Sequence, residues 1–91
     1  MAFLGGGAAT IKDNVFTGNT VGLALDGGTS LVLSNKSTGN SCDIRVSGSS
    51  PIINYSVFDT LCGNGGPAGS YTGKYNLKSD GTDAPTADTF Q

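Results

Sequence analysis

The chain has 91 residues, enough for one small domain that buries only ~60% of its unfolded surface. Leu, Ile, Val and Phe supply 20 of the 91, near the level at which chains stop folding, so any core must be thin. A net charge of -2, with seven Asp, no Glu and only five basic residues, argues against a nucleic-acid surface, and no apolar run approaches the ~20 residues of a membrane span.

The opening Met1-Ala2-Phe3-Leu4-Gly5-Gly6-Gly7 lacks the basic start and long apolar middle of a secretory leader. Two histories stay open: a leader already removed, or exit by another route such as inside a phage particle. Leu4 and Gly6 lie 21 positions before Leu25 and Gly27, and the same offset joins Ile11 to Val32, Asn14 to Asn35, Thr17-Gly18-Asn19 to Thr38-Gly39-Asn40, and Leu23 to Ile44. A period of this length marks a stacked repeat, in which each unit buries its apolar face only against a neighbour. Within each unit apolar and polar letters alternate, as in Leu23-Ala24-Leu25-Asp26 and Ile44-Arg45-Val46-Ser47, which is the period of a strand with one buried face. Gly-Asn, Gly-Gly and Ser-Gly pairs between the runs supply tight corners.

Taken along the chain, residues 4–10 are the end of one unit, 11–31 and 32–52 are full units, and 53–62 begin a further one. Ile11, Phe16, Leu23 and Leu25 face inward in the first full unit and Val32, Ile44 and Val46 in the second, where Ser37 replaces Phe16. Phe16 and Phe58 could then fill the space above Ser37 from either side. Gly6, Gly18, Gly22, Gly27, Gly39 and Gly48 fall at expected corners. Leu31, Leu33 and Ile52 are out of phase with the inward positions and form a lateral apolar patch, covered either by the chain's own tail or by another subunit. The first unit has no cap, which predicts a cut or docking face there.

Cys42 and Cys62 lie one residue short of a full period apart. Stacking brings them within disulfide range; the other outcome is one buried and one exposed thiol. Beyond Cys62 the period is lost. Gly63-Asn64-Gly65-Gly66-Pro67 reads as a loop, Ser70 to Leu77 as a strand, Ser79-Asp80-Gly81-Thr82 as a turn, and the last eight residues as disordered. The domain layout is thus 1–62 as repeats and 63–91 as an irregular segment covering the side or end of the stack.

The pattern Ile11-x-x-Asn14-x-Phe16-x-Gly18-Asn19-x-x-Gly22-Leu23-x-Leu25, followed by Val32-x-x-Asn35 and Gly39-Asn40-x-x-x-Ile44-x-Val46, resembles the right-handed parallel β-helix repeat of pectate-lyase-like proteins, phage tailspikes and bacterial surface proteins. The resemblance covers about the first 58 residues. Gly73 to Gly81 is in addition similar to the closing stretch of bacterial secreted β-helix proteins. The resemblance implies an all-β, right-handed parallel β-helix of about three rungs, a ladder of side-chain amides from Asn14 to Asn35 that ends at Ser56, and an extracellular, cell-surface or virion setting.

That fold hosts enzymes and inert shafts alike, so chemistry has to come from particular residues. Asp13, Asp26, Asp43 and Asp59 fall in different phases and make no catalytic column, and Asp26 with Arg45 reads as a solvated pair. The absence of His excludes triads, and two cysteines without His do not suit a metal. Asn76-x-Lys78-x-Asp80-Gly81-x-Asp83 fails as a calcium loop, because Lys78 replaces a ligand and Ala87 stands where a closing Glu belongs. Gly69 to Lys74 lacks the spacing of a phosphate loop. Sequons occur at Asn35 and Asn54.

No cofactor, metal or catalytic residue is therefore expected. The favoured expectation is a non-catalytic structural or adhesive module that self-associates or belongs to a longer shaft. The alternative is a carbohydrate-binding or lyase-type fragment acting on acidic glycans, with Tyr55, Tyr71 and Tyr75 as candidate sugar contacts.

Overall fold

The fold was obtained as a computed structural model that describes residues 2–4 as backbone, and residues 7–66 and 68–86 in full. Gly6, Pro67, Ala87, Phe90 and the Leu4 side chain lie outside the described residues. The described chain is all-β, with nine strands and no helix: β1 (Ala2–Leu4), β2 (Ala8–Lys12), β3 (Val15–Phe16), β4 (Val21–Leu33), β5 (Lys36–Ser37), β6 (Cys42–Ser49), β7 (Ile52–Asn54), β8 (Val57–Phe58) and β9 (Leu61–Cys62).

Every pair among these strands is parallel. Six of the seven place partners 21 positions apart, as in Leu4 opposite Leu25, Ile11 opposite Val32, Phe16 opposite Ser37, Leu25 opposite Val46, Val32 opposite Ile53, and Ser37 opposite Phe58. The pairing of β6 with β9 shortens this to 17, with Ile44 opposite Leu61.

Strand β4 is the hub, because it belongs to two strips. Its first part pairs with β1 on one side and β6 on the other, with β9 beyond β6; its last part lies between β2 and β7. Gly27 (φ 106°) and Gly28 (φ 74°) stand between the two parts, in a conformation that residues with a Cβ rarely adopt. A third strip runs β3, β5, β8. Strands β1, β2 and β3 thus each have a single strand partner, and all three lie on the same side of their strips.

Alternation along the strands selects the core. Leu23, Leu25, Val32, Ile44, Val46, Ile53, Phe58 and Leu61 are buried together, with Ile11, Phe16, Ala68, Tyr71 and Ala84 packed against them. Full burial of each such aliphatic or aromatic side chain is worth ~1.5–3 kcal/mol. Ser37, also buried, does not serve as empty space beneath Phe16 and Phe58. Its hydroxyl donates to the Asp43 carbonyl (2.7 Å) and accepts from Asn40 Nδ2 (3.2 Å).

Two expectations about glycine and the tail are corrected. Gly22 is a strand residue in β4, not a corner. A Cβ there would lie 2.1 Å from Ser37 Oγ and 2.8 Å from the Asp43 carbonyl oxygen, so the space it vacates is already occupied. The period also does not end at Cys62. After the bend at residues 64–66, Thr72 bridges Ile52 and Leu77 bridges Val57, both in parallel and 20 positions away. Backbone bonds from Ile53 N to Thr72 O (2.8 Å) and Phe58 N to Leu77 O (2.9 Å) hold this segment, although only isolated bridges form where a full strand was expected. Residues 84–86 are not detached either: Ala84 packs on the core and the Pro85 carbonyl accepts the Tyr71 hydroxyl (2.9 Å).

Candidate functional site

One corner recurs through the described chain. Asp13, Ser34, Tyr55 and Tyr75 all have left-handed backbones, with φ of 59°, 55°, 55° and 65°. Each is followed by a residue whose side chain closes the corner: Asn14, Asn35, Ser56 and Asn76. The Asn14 N–H donates to Asn35 Oδ1 (3.0 Å), the Asn35 N–H to Ser56 Oγ (3.3 Å), and the Ser56 N–H to Asn76 Oδ1 (3.0 Å). The amide column expected to end at Ser56 instead continues through it, because a hydroxyl accepts one bond as an amide oxygen does. Asn35 is buried, which also removes its sequon from the surface.

A second asparagine arrangement occupies the neighbouring corner. Asn40 Oδ1 accepts the Asn19 N–H (2.8 Å), while Asn40 Nδ2 donates to the Phe16 carbonyl (3.0 Å) and to Asp43 Oδ1 (3.0 Å). Asp43 is buried, and its other oxygen accepts the N–H groups of Asp59 (3.0 Å) and Thr60 (3.1 Å). Cys42, next to it, is disulfide-bonded to Cys62 with a Cα–Cα distance of 6.2 Å. These contacts tie β6 to the segment that leads into β9.

Asp26, Asp43, Asp59 and Asp80 are committed to structure. Arg45 Nε donates to Asp26 Oδ1 (3.0 Å) and Nη2 to Oδ2, with side-chain exposures of only 20% and 15%, so this pair is a half-sheltered fork and not the solvated pair expected. Asp59 accepts both the N–H (2.8 Å) and the hydroxyl of Ser79. Asp80 holds its carboxyl below the usual range, first through the Thr82 hydroxyl and then through the Thr82 N–H. Among the described residues no three His, Cys, Asp or Glu side chains converge as a metal site, and no helix is long and apolar enough to cross a membrane.

The tyrosines divide. Tyr71 is half-buried, edge-on to Phe58 with ring centroids 5.9 Å apart, and burial pushes its phenol pKa up. With its hydroxyl bonded to Pro85 as well, it is held against the core. Tyr55 and Tyr75 are the reverse: 60% and 66% exposed, with rings stacked at 5.0 Å and 18° between planes. The stack arises because both occupy the same left-handed corner position, 20 residues apart.

Compared with family models, curated proteins and solved structures, the chain matches none.

Leu31 sits opposite Ile52 in register and Leu33 opposite Asn54. Leu31 and Leu33 are half-buried and Ile52 is 45% exposed. Leu31 and Ile52 line a groove of about 500 Å³ together with Ala8, Thr10, Thr29 and Ser50. A second hollow of about 300 Å³ shares Ser50 and Ile52 and continues to Ser70 and Thr72. The Tyr55–Tyr75 stack and the Asp43 hub were missed as units. A signal for the first was available, since Asp13-Asn14, Ser34-Asn35, Tyr55-Ser56 and Tyr75-Asn76 recur at 21, 21 and 20 positions. None marked Asp43, whose partners come from two loops.

Proposed function

We propose that the chain is a non-catalytic structural or adhesive module built as a right-handed parallel β-helix, which self-associates or continues a longer shaft at an extracellular, cell or virion surface. The observation that carries this reading is the one-sided pairing of β1, β2 and β3, which turns one end of all three strips into an open edge among the described residues. Unpaired edges of parallel strands are templates for a further strand. The 21-position register shared by six of the seven strand pairs supports the helix, and parallel crossovers are almost always right-handed. The Cys42–Cys62 bond suits an oxidising compartment.

Light scattering across a concentration series tests the association, with Ala8→Pro and Ala9→Pro in β2 as probes. Neighbouring N–H groups in a strand point to opposite sides, so one variant loses a bond to β4 and the other only the outward donor. Concentration-dependent growth that the second type of variant abolishes, at nearly unchanged stability, supports the proposal. A monomer at every concentration contradicts self-association.

Contact with acidic glycans is the alternative, and the exposed Tyr55–Tyr75 stack is the observation in its favour. Titration with oligogalacturonate followed by tyrosine-resolved NMR distinguishes it: shifts confined to these rings favour the alternative, and unchanged spectra remove it.

A further inference from the structure

We infer that Tyr55 and Tyr75 form a site of oxidative cross-linking, closing to an intrachain dityrosine when a haem peroxidase and hydrogen peroxide are supplied. Coupling needs two phenols that an oxidant can reach and whose rings already lie together. Both conditions hold here and only here: the rings are stacked at 5.0 Å and 18°, and each residue is about two-thirds exposed, at 60% and 66%. The chain's third tyrosine, Tyr71, has its ring against Phe58 and its hydroxyl on the Pro85 carbonyl. The pairing is held from beneath, because the Tyr55 N–H donates to the Lys74 carbonyl (3.1 Å) and the Ser56 N–H to Asn76 Oδ1 (3.0 Å), so one backbone bond and one bond to a side chain fix both corners in register.

The chemistry balances. The peroxidase takes one hydrogen atom from each phenol hydroxyl, leaving two tyrosyl radicals with spin on the ring carbons next to the oxygen. Those carbons join in one C–C bond, and each ring regains its phenol as the hydrogen on the joined carbon moves to the oxygen. Two hydrogens have left the protein, and one hydrogen peroxide has become two waters. The product would link residues 20 positions apart, as the Cys42–Cys62 bond does in the preceding stretch, so the two bonds would fasten successive layers in series.

The test is treatment of the full chain at ~10 μM with horseradish peroxidase and hydrogen peroxide, read by dityrosine fluorescence, intact mass and peptide mapping. Short-range tethering gives effective concentrations near mM, so intrachain product should exceed interchain product roughly a hundredfold. The expected result is a monomer lighter by two hydrogens with Tyr55 joined to Tyr75. Tyr75→Phe, which keeps the ring and the stack, should reduce monomer fluorescence to background, and Tyr71→Phe should leave it unchanged. Dityrosine found mainly in covalent dimers, or mapped to Tyr71, overturns the inference, as does a wild-type monomer that gains no fluorescence.

Discussion

Asn35 Oδ1 accepts two bonds from one residue 21 positions earlier, the Asn14 backbone N–H at 3.0 Å and the Asn14 side-chain amide at 3.1 Å. Its own amide donates to the Ile11 carbonyl (2.8 Å), 24 positions earlier, and to the Leu33 carbonyl (3.1 Å), two positions earlier. One buried side chain therefore satisfies backbone groups of two layers. Asn35→Ala removes these partners without admitting water freely, and should lower stability by about 2–4 kcal/mol in urea unfolding. Asn14→Ala, at an exposed position, should cost less than half as much. Equal losses would show that the column does not act through burial.

Gly22→Ala should be the most damaging glycine substitution among the strand residues, since its Cβ would meet Ser37 Oγ at 2.1 Å and Asn40 Nδ2 at 2.8 Å. Gly18→Ala offers the contrast: open space around the Cβ, but a φ of 72°. The second should cost about 1 kcal/mol from backbone strain alone. Thermal unfolding should rank Gly22→Ala well below Gly18→Ala, and the reverse order would contradict the close approach of Gly22 to the Ser37 corner.

Reduction of Cys42–Cys62 releases a loop with a sequence separation of 20. The loop-entropy estimate for that length is about 3 kcal/mol, a large share of the stability of so small a domain. Urea midpoints with and without reductant should differ accordingly, and superimposable curves would mean that the hydrogen bonds around Asp43 alone hold β6 to β9.

Burial raises the Tyr71 phenol above its ordinary 10.0, so the folded chain keeps that proton more tightly than the unfolded chain. The corresponding stability is fully present below pH 10 and is lost as pH rises through the folded-state value. The comparison that isolates the effect is Tyr71→Phe, whose alkaline decline should be shallower than that of the wild type. Parallel declines would place Tyr71 in solvent.

How far the sequence carried can be seen at single positions. The spacing of Leu25 and Val46, or of Ile11 and Val32, was readable because strand pairing in parallel layers repeats the same side chain at the same height. Asn14 over Asn35 was readable for the same reason. Ser56 looked like an ending only because its letter differs, whereas its hydroxyl meets the same N–H. The 20-residue offsets of Thr72 from Ile52 and of Leu77 from Val57 were hidden because four positions are lost between Phe58 and Leu61 and only three are regained across the Gly-rich bend. Asp43 resisted for another reason. A carboxylate that gathers N–H groups from Asn40, Asp59 and Thr60 leaves no periodic trace, since its role depends on loops brought together only by the fold.

The most direct test of the stacked parallel register is a nuclear Overhauser spectrum of the labelled chain. Cross-strand contacts between backbone protons should join Leu25 to Val46, Val32 to Ile53 and Phe16 to Ser37, all 21 positions apart and all in parallel sense. Contacts of antiparallel type joining neighbouring segments, such as Leu25 to Val32, with none at the 21-position spacing, would contradict it.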